Sequence, residues 1–128
     1  MTKQIARAVI VEDSTQMQTM IRMVLGSLGA KDIAMAADGS AALTALQAAK
    51  TDVVIMDWKM EGMDGLECTR RIRAGVEGID PQIPILLLTG NVGKESETAA
   101  YSAGASFYME KPFSLKTLHA GLTKVLIG

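Results

Sequence analysis

The chain has one cysteine, one histidine and no excess of either charge, and each shortage removes a class of function. Cys68 has no second thiol to pair with, so no internal disulfide can form, which fits a reducing, cytoplasmic setting. With His119 the lone imidazole and Cys68 the lone thiol, a zinc site finds no ligand set. Thirteen Lys and Arg against fourteen Asp and Glu leave a net charge of -1, so no overall basic field draws the chain to nucleic acid. The apolar runs fall far short of the roughly 20 residues of a membrane span. The opening MTKQIARAVIVED reaches charged residues after four apolar ones, unlike a signal peptide. No Ser/Gly/Pro linker, repeat or low-complexity tract divides the 128 residues, a length suited to one domain. A soluble, cytoplasmic, single-domain protein is expected, with neither membrane nor nucleic acid as a partner.

What is present is a rhythm. Apolar runs at Ala8–Val11, Ile33–Ala36, Val53–Met56, Ile85–Leu88 and Ala105–Met109 alternate with segments of helical spacing. The three strongest runs are continuously apolar, as strands covered on both faces of a parallel sheet should be. Met17, Met20, Ile21, Val24, Leu25 and Leu28 form one helical stripe, with Ser14 as N-cap and Gly29 as stop. Leu115, Leu118, Leu122 and Val125 form another after Ser114. Five strands alternating with five helices predict a three-layer α/β domain with right-handed crossovers. Residues 75–84, GVEGIDPQIP, read as a loop, and Asp38-Gly39 and Asp64-Gly65 as turns and caps. The nine methionines read mostly as core fillers, and Arg70, Arg71 and Arg73 as a solvated helix face.

In open parallel sheets, ligands bind beyond the carboxyl ends of the strands, and here those ends carry chemistry. The first run leads into Glu12-Asp13-Ser14, the third closes on Asp57, the fourth on Thr89, and the fifth leads to Lys111-Pro112. Alone, Glu12 and Asp13 are explained by helix capping and Asp57 by a solvated strand end. Together they are harder to dismiss. Two carboxylates about 4 Å apart repel by roughly 4 kcal/mol at an effective dielectric near 20, so three around one pocket call for cations. Lys111 can supply one charge and a divalent ion the rest; an all-oxygen donor set favours magnesium. Magnesium beside a lysine and a threonine hydroxyl suits phosphoryl transfer, with Asp57 as the nucleophile that becomes an aspartyl phosphate.

The segments EDS, MDWKMEGMDG, LLLTGN and FYMEKPF, each at the appropriate strand end, resemble those of response-regulator receiver domains over essentially the whole chain. The stand-alone CheY-like chemotaxis type is most similar, with Trp58 after the acceptor and the chain closing on the fifth helix. The resemblance implies a flavodoxin-like fold with a five-stranded parallel sheet in the order 2-1-3-4-5, one receiver domain over residues 1–128 and no output domain. It implies that Asp57 takes a phosphoryl group from a phosphohistidine on a histidine kinase or histidine phosphotransfer protein. Glu12, Asp13, Asp57 and the backbone carbonyl of Lys59 would hold Mg2+. Lys111 and Thr89 would contact phosphoryl oxygens, Tyr108 would swing inward as a switch, and Lys111-Pro112 would be cis. A downstream protein target would bind roughly residues 93–126 of a monomer. The role is that of a signalling switch with intrinsic self-phosphorylation and dephosphorylation activity rather than an enzyme acting on other substrates.

Two positions depart from the family's habit, and two more bear on how the site is tuned. Glu61 stands where proline is frequent and Gly90 where alanine is common, while Lys59 and Asn91 flank the acceptor and are expected to tune the lifetime of the phosphorylated state. Other readings compete. A magnesium-dependent aspartyl-phosphate phosphatase would carry a second carboxylate where Lys59 stands, and a flavin or dinucleotide binder a Gly-rich turn where EDSTQM stands. A degenerate receiver used only as a binding surface would not need the acid, threonine and lysine set. Within the family, the alternative is a receiver excised from a larger regulator or hybrid kinase.

Overall fold

In the computed structural model, which describes residues 5–60, 62–90 and 93–127, the alternation becomes ten elements. The strands are β1 (Arg7–Val11), β2 (Asp32–Ala36), β3 (Val53–Asp57), β4 (Ile85–Thr89) and β5 (Phe107–Glu110). Between and after them lie α1 (Thr15–Ser27), α2 (Gly39–Ala48), α3 (Gly65–Ala74), α4 (Lys94–Ala103) and α5 (Leu115–Ile127). The strands pair in parallel in the order β2-β1-β3-β4-β5, the flavodoxin-like order.

The continuous apolar runs have the cause assigned to them: β1, β3 and β4 are buried at every residue, because helices cover both faces. Successive side chains point to opposite sides. Val9, Val11, Val54, Met56 and Leu87 pack with α2, α3 and α4, while Ala8, Ile10, Ile55, Leu86 and Leu88 pack with α1 and α5. Four helices start on a side-chain cap. Ser14 accepts from the Met17 amide (3.4 Å), Asp38 from Ala41 (2.8 Å), Asp64 from Glu67 (2.8 Å) and Ser114 from Thr117 (3.1 Å). α4 begins at Gly93, which has no side chain to cap with. Among the described residues no helix is long and apolar enough to cross a membrane.

Several expectations shift. β5 starts at Phe107 rather than Ala105, because the Ala105 amide turns back to Ala100 O (3.1 Å) to close the end of α4. Arg70 and Arg71 are exposed beside Glu67, but Arg73 is not part of a solvated face. Its guanidinium donates to the carbonyls of Gly104, Pro81 and Ile83 and to Ser106 Oγ, at 2.7 to 3.1 Å. It thereby ties α3 to the loops that lead into β4 and β5. Met23 and Met35 are exposed, Met23 on the side of α1 away from its buried stripe and Met35 on an edge strand.

Cys68 lies fully buried under α2, its Sγ 3.7 Å from Gly39 O. Burial pushes its thiol up to about 11, against a smaller downward pull from Arg71. Since the thiolate is the nucleophile, iodoacetamide should leave the native protein unlabelled at neutral pH and label it once in urea. Rapid native labelling would contradict that burial.

Candidate functional site

Register assembles the acids. Val11 of β1 lies opposite Met56 of β3, so the next residues along, Glu12 and Asp57, meet at the carboxyl rim of the sheet. Glu12, Asp13 and Asp57 each offer a carboxylate oxygen, all within 4.8 Å of one another. Glu12 is 1% exposed and fully engaged: Oε2 accepts the Ser14 amide (2.9 Å) and Oε1 the Lys111 ammonium (3.0 Å). Its backbone carbonyl takes the Gln18 side-chain amide at 2.6 Å. Lys111 Nζ also lies 3.2 Å from Asp57 Oδ1, bridging the ends of β1 and β3 from the far side of β4. Asp13 remains exposed.

The electrostatics arise from that crowding. Burial, then the neighbouring Glu12 carboxylate, raise the Asp57 carboxyl above its ordinary value, with Lys111 opposing and Asp13 adding a smaller upward push. For Lys111 burial is the largest single influence and pulls downward, but the hydrogen bond to Glu12 and the charges of Asp57 and Glu12 outweigh it. The ammonium is therefore held above its ordinary value and stays charged.

The loop after Asp57 is folded back by the backbone. Trp58 N donates to Leu88 O (2.7 Å) and Gly65 N to Trp58 O (2.8 Å), and a Cβ at Gly65 would collide with the Asp57 carbonyl, so only glycine fits there. Thr89 sits one residue beyond the Asp57–Leu88 pair, 1% exposed, and its carbonyl accepts the Lys111 amide at 2.7 Å. The Lys111-Pro112 peptide is cis. Lys59 is exposed two residues after Asp57, and Gly90 is exposed after Thr89. Glu61 and Asn91 lie outside the described residues. Tyr108 is buried on the α4 side of β5, its hydroxyl donating to Glu110 Oε2 at 3.0 Å and its ring tilted against Tyr101 with centroids 6.4 Å apart. Sequence reasoning passed over Glu110 and Gln18; the signal for Glu110 was its place two residues from Tyr108 on the same strand face.

Among the described residues, three carboxylates against one ammonium leave the rim short of positive charge, and the donors are all oxygen, with His119 exposed on α5 outside the cluster. That donor set suits a hard divalent cation. The family described as response regulator receiver domain matches residues 8–123. The chain belongs to that family. It is 34% identical over 119 residues to the chemotaxis protein CheY-3 of Vibrio cholerae, covering 93% of this chain and 90% of that one. It is 36% identical over 121 residues to the chemotaxis protein CheY1 of Helicobacter pylori, covering 94% and 96%. Among solved structures, the receiver domain of a Pseudomonas aeruginosa sensor histidine kinase superposes with a TM-score of 0.80 at 31% identity, over 96% of this chain and 98% of that one. That structure has a magnesium ion coordinated in its active-site cleft. This receiver domain is accordingly a signalling module of two-component systems, and the acidic cluster of Glu12, Asp13 and Asp57 fits a magnesium site.

Proposed function

We propose that this receiver domain, taken as a single domain over residues 1–128, is a monomeric phosphorylation switch whose acceptor is Asp57. A carboxylate oxygen of Asp57 attacks the phosphorus of a phosphohistidine on a histidine kinase or phosphotransfer protein. The P–N bond breaks, and the imidazole keeps the electron pair and takes up a proton. The observation that carries this reading is the Lys111 ammonium, held charged at 3.0 Å from Glu12 and 3.2 Å from Asp57 where three strands end. It stands where the incoming group brings negative charge, so one phosphoryl oxygen can replace a carboxylate as its partner. The Thr89 hydroxyl, at the end of the neighbouring strand, donates to a second oxygen. Glu12, Asp13, Asp57 and the Lys59 carbonyl would hold Mg2+, which when bound supplies the charge neutralisation that phosphoryl transfer needs. Lys59, exposed two residues after the acceptor, and Asn91 govern access of water and so the lifetime of the aspartyl phosphate.

The new charge biases a two-state equilibrium through Thr89 and Tyr108 and changes the α4–β5–α5 face, residues 93–126. A groove on that face, lined by Glu97, Phe107, Tyr108, Pro112 and Phe113, suits a protein target. The chemotaxis proteins among the relatives favour a chemotaxis pathway. The kinase-borne receiver at similar identity favours one alternative, in which this domain forms part of a larger regulator or hybrid kinase.

Intact mass after incubation with acetyl phosphate tests the reading. Wild type should gain one phosphoryl group only with magnesium, and Asp57→Ala none. A gain retained in Asp57→Ala would assign the acceptor elsewhere. Followed in time, the same assay should show an altered decay in Lys59→Ala; an unchanged decay would remove Lys59 from the account.

A further inference from the structure

β5 is an edge strand, and its alternation turns Phe107 and Met109 toward α5 and Tyr108 and Glu110 toward α4. One atom there does double duty. Glu110 Oε2 accepts the Tyr108 hydroxyl at 3.0 Å and the Gly93 amide at 3.1 Å. Gly93 is the residue at which α4 begins without a cap of its own, whereas α1, α2, α3 and α5 take theirs from Ser14, Asp38, Asp64 and Ser114. At α4 the carboxylate arrives instead from the adjacent strand, and its charge faces the positive end of the helix dipole. The same oxygen thus fastens the ring carried by β5 to the head of α4.

We propose that Glu110 is a positioning residue for the switch, stabilising the present arrangement of β5 and α4 and opposing the rearrangement triggered by phosphorylation of Asp57. The proposal rests on the phosphoacceptor reading above. Its logic is one of connectivity. Thr89 precedes Gly93 by only four residues, so drawing the Thr89 hydroxyl toward a phosphoryl oxygen pulls on that short connection. In the proposed rearrangement the Gly93 amide leaves Glu110, and the Tyr108 hydroxyl loses the alignment that its partner provides. An interaction made in one state and not in the other biases the equilibrium toward the first. Burial, then the hydrogen bond to Glu110 and its charge, push the Tyr108 phenol up to about 12, as befits a hydroxyl that donates its proton to a carboxylate. Glu110 is itself exposed, so its truncation removes both contacts without opening a cavity.

The test compares wild type, Glu110→Ala and Glu110→Gln by proton–nitrogen and aromatic NMR, first alone, then with magnesium and beryllium fluoride as the phosphoryl mimic. The rate of phosphorylation by acetyl phosphate is measured beside it. In wild type the mimic should displace the Gly93 amide and Tyr108 ring resonances. Unliganded Glu110→Ala should already lie part-way along the same displacement and accept phosphoryl about fivefold faster, the equilibrium equivalent of one ordinary hydrogen bond. Glu110→Gln, whose amide oxygen still accepts, should fall between. A Glu110→Ala protein with wild-type resonances and rate overturns the proposal. So does one whose shifts leave the line between the two states, since that describes a merely structural residue. A wild type that neither responds to the mimic nor takes up phosphoryl brings down the phosphoacceptor reading, and this proposal with it, before any variant is compared.

Discussion

Asp57→Asn should raise the melting temperature of the metal-free protein at neutral pH by several degrees, although it removes the proposed acceptor. The cause is the crowding at the sheet's rim. Asp57, buried beside Glu12 and near Asp13, shares a single ammonium with Glu12. Its carboxyl is raised above its ordinary value of 3.8, chiefly by burial and then by Glu12. A carboxyl that holds its proton more tightly when folded leaves the native state with more bound protons than the unfolded one. Stability contributed at this position therefore falls as pH rises from about the unfolded value of 3.8 through the raised folded value, and the deficit persists at neutral pH. Asparagine has nearly the same shape and no charge, so it removes the deficit, worth about 1–2 kcal/mol on the usual scale of single changes. The gain should vanish in acid, where wild-type Asp57 is protonated. It should also shrink in magnesium, which stabilises wild type more than the variant by mass action. Calorimetry at several pH values, in chelator and again in magnesium, reads all three effects. A variant no more stable than wild type at neutral pH would mean that Lys111 already cancels the repulsion.

How much of this site is legible in the sequence depends on whether a residue's role is set locally. Asp57, Thr89 and Lys111 each stand at or just past the end of an apolar run. Strands buried on both faces deliver such end residues to the same rim, so these three could be read without coordinates. Glu12 was legible as either a helix-capping acid or a site acid. Its two carboxylate oxygens divide between those surroundings: one receives the Ser14 amide at the head of α1 and the other receives Lys111. Long-range bonds were not legible. Arg73 belongs by sequence to a basic, solvated helix face, yet its partners lie up to 33 residues away, and only the packing of α3 against the loops leading into β4 and β5 brings them within reach. Glu110 is the same kind of case: nothing local marks it as the acceptor for Gly93, 17 residues earlier. The start of β5 was misjudged because Ala105 is apolar, while its amide is committed to the end of α4.

Lys111→Met should be the most damaging single change at the site, and the damage should be repairable by magnesium. Methionine keeps the apolar stem but removes the charge that bonds Glu12 and Asp57, leaving two buried carboxylates without their cation. Breaking a buried ion pair by removing one partner costs about 3–5 kcal/mol; with the Lys111 side chain 22% exposed, about 2–3 kcal/mol is expected here. The ammonium is held above its ordinary value of 10.5, so its contribution is fully present below that pH and lost as pH rises through the higher folded value. The defect should thus be constant across neutral pH. It should fade in acid, as the carboxylates protonate, and in strong alkali, where wild type loses the same charge. Because no ammonium then competes for the acids, magnesium should bind the variant more tightly than wild type and recover much of the lost stability. Adding Asp57→Asn should recover part of it without metal, because one of the two stranded charges is gone; such coupling between touching residues is what a double-mutant cycle isolates. Thermal unfolding of wild type, both single variants and the double variant, with and without magnesium, supplies the cycle. Additive single-variant effects would mean that Lys111 and Asp57 do not interact energetically, and the ion pair at the centre of the proposed site would then carry no functional weight.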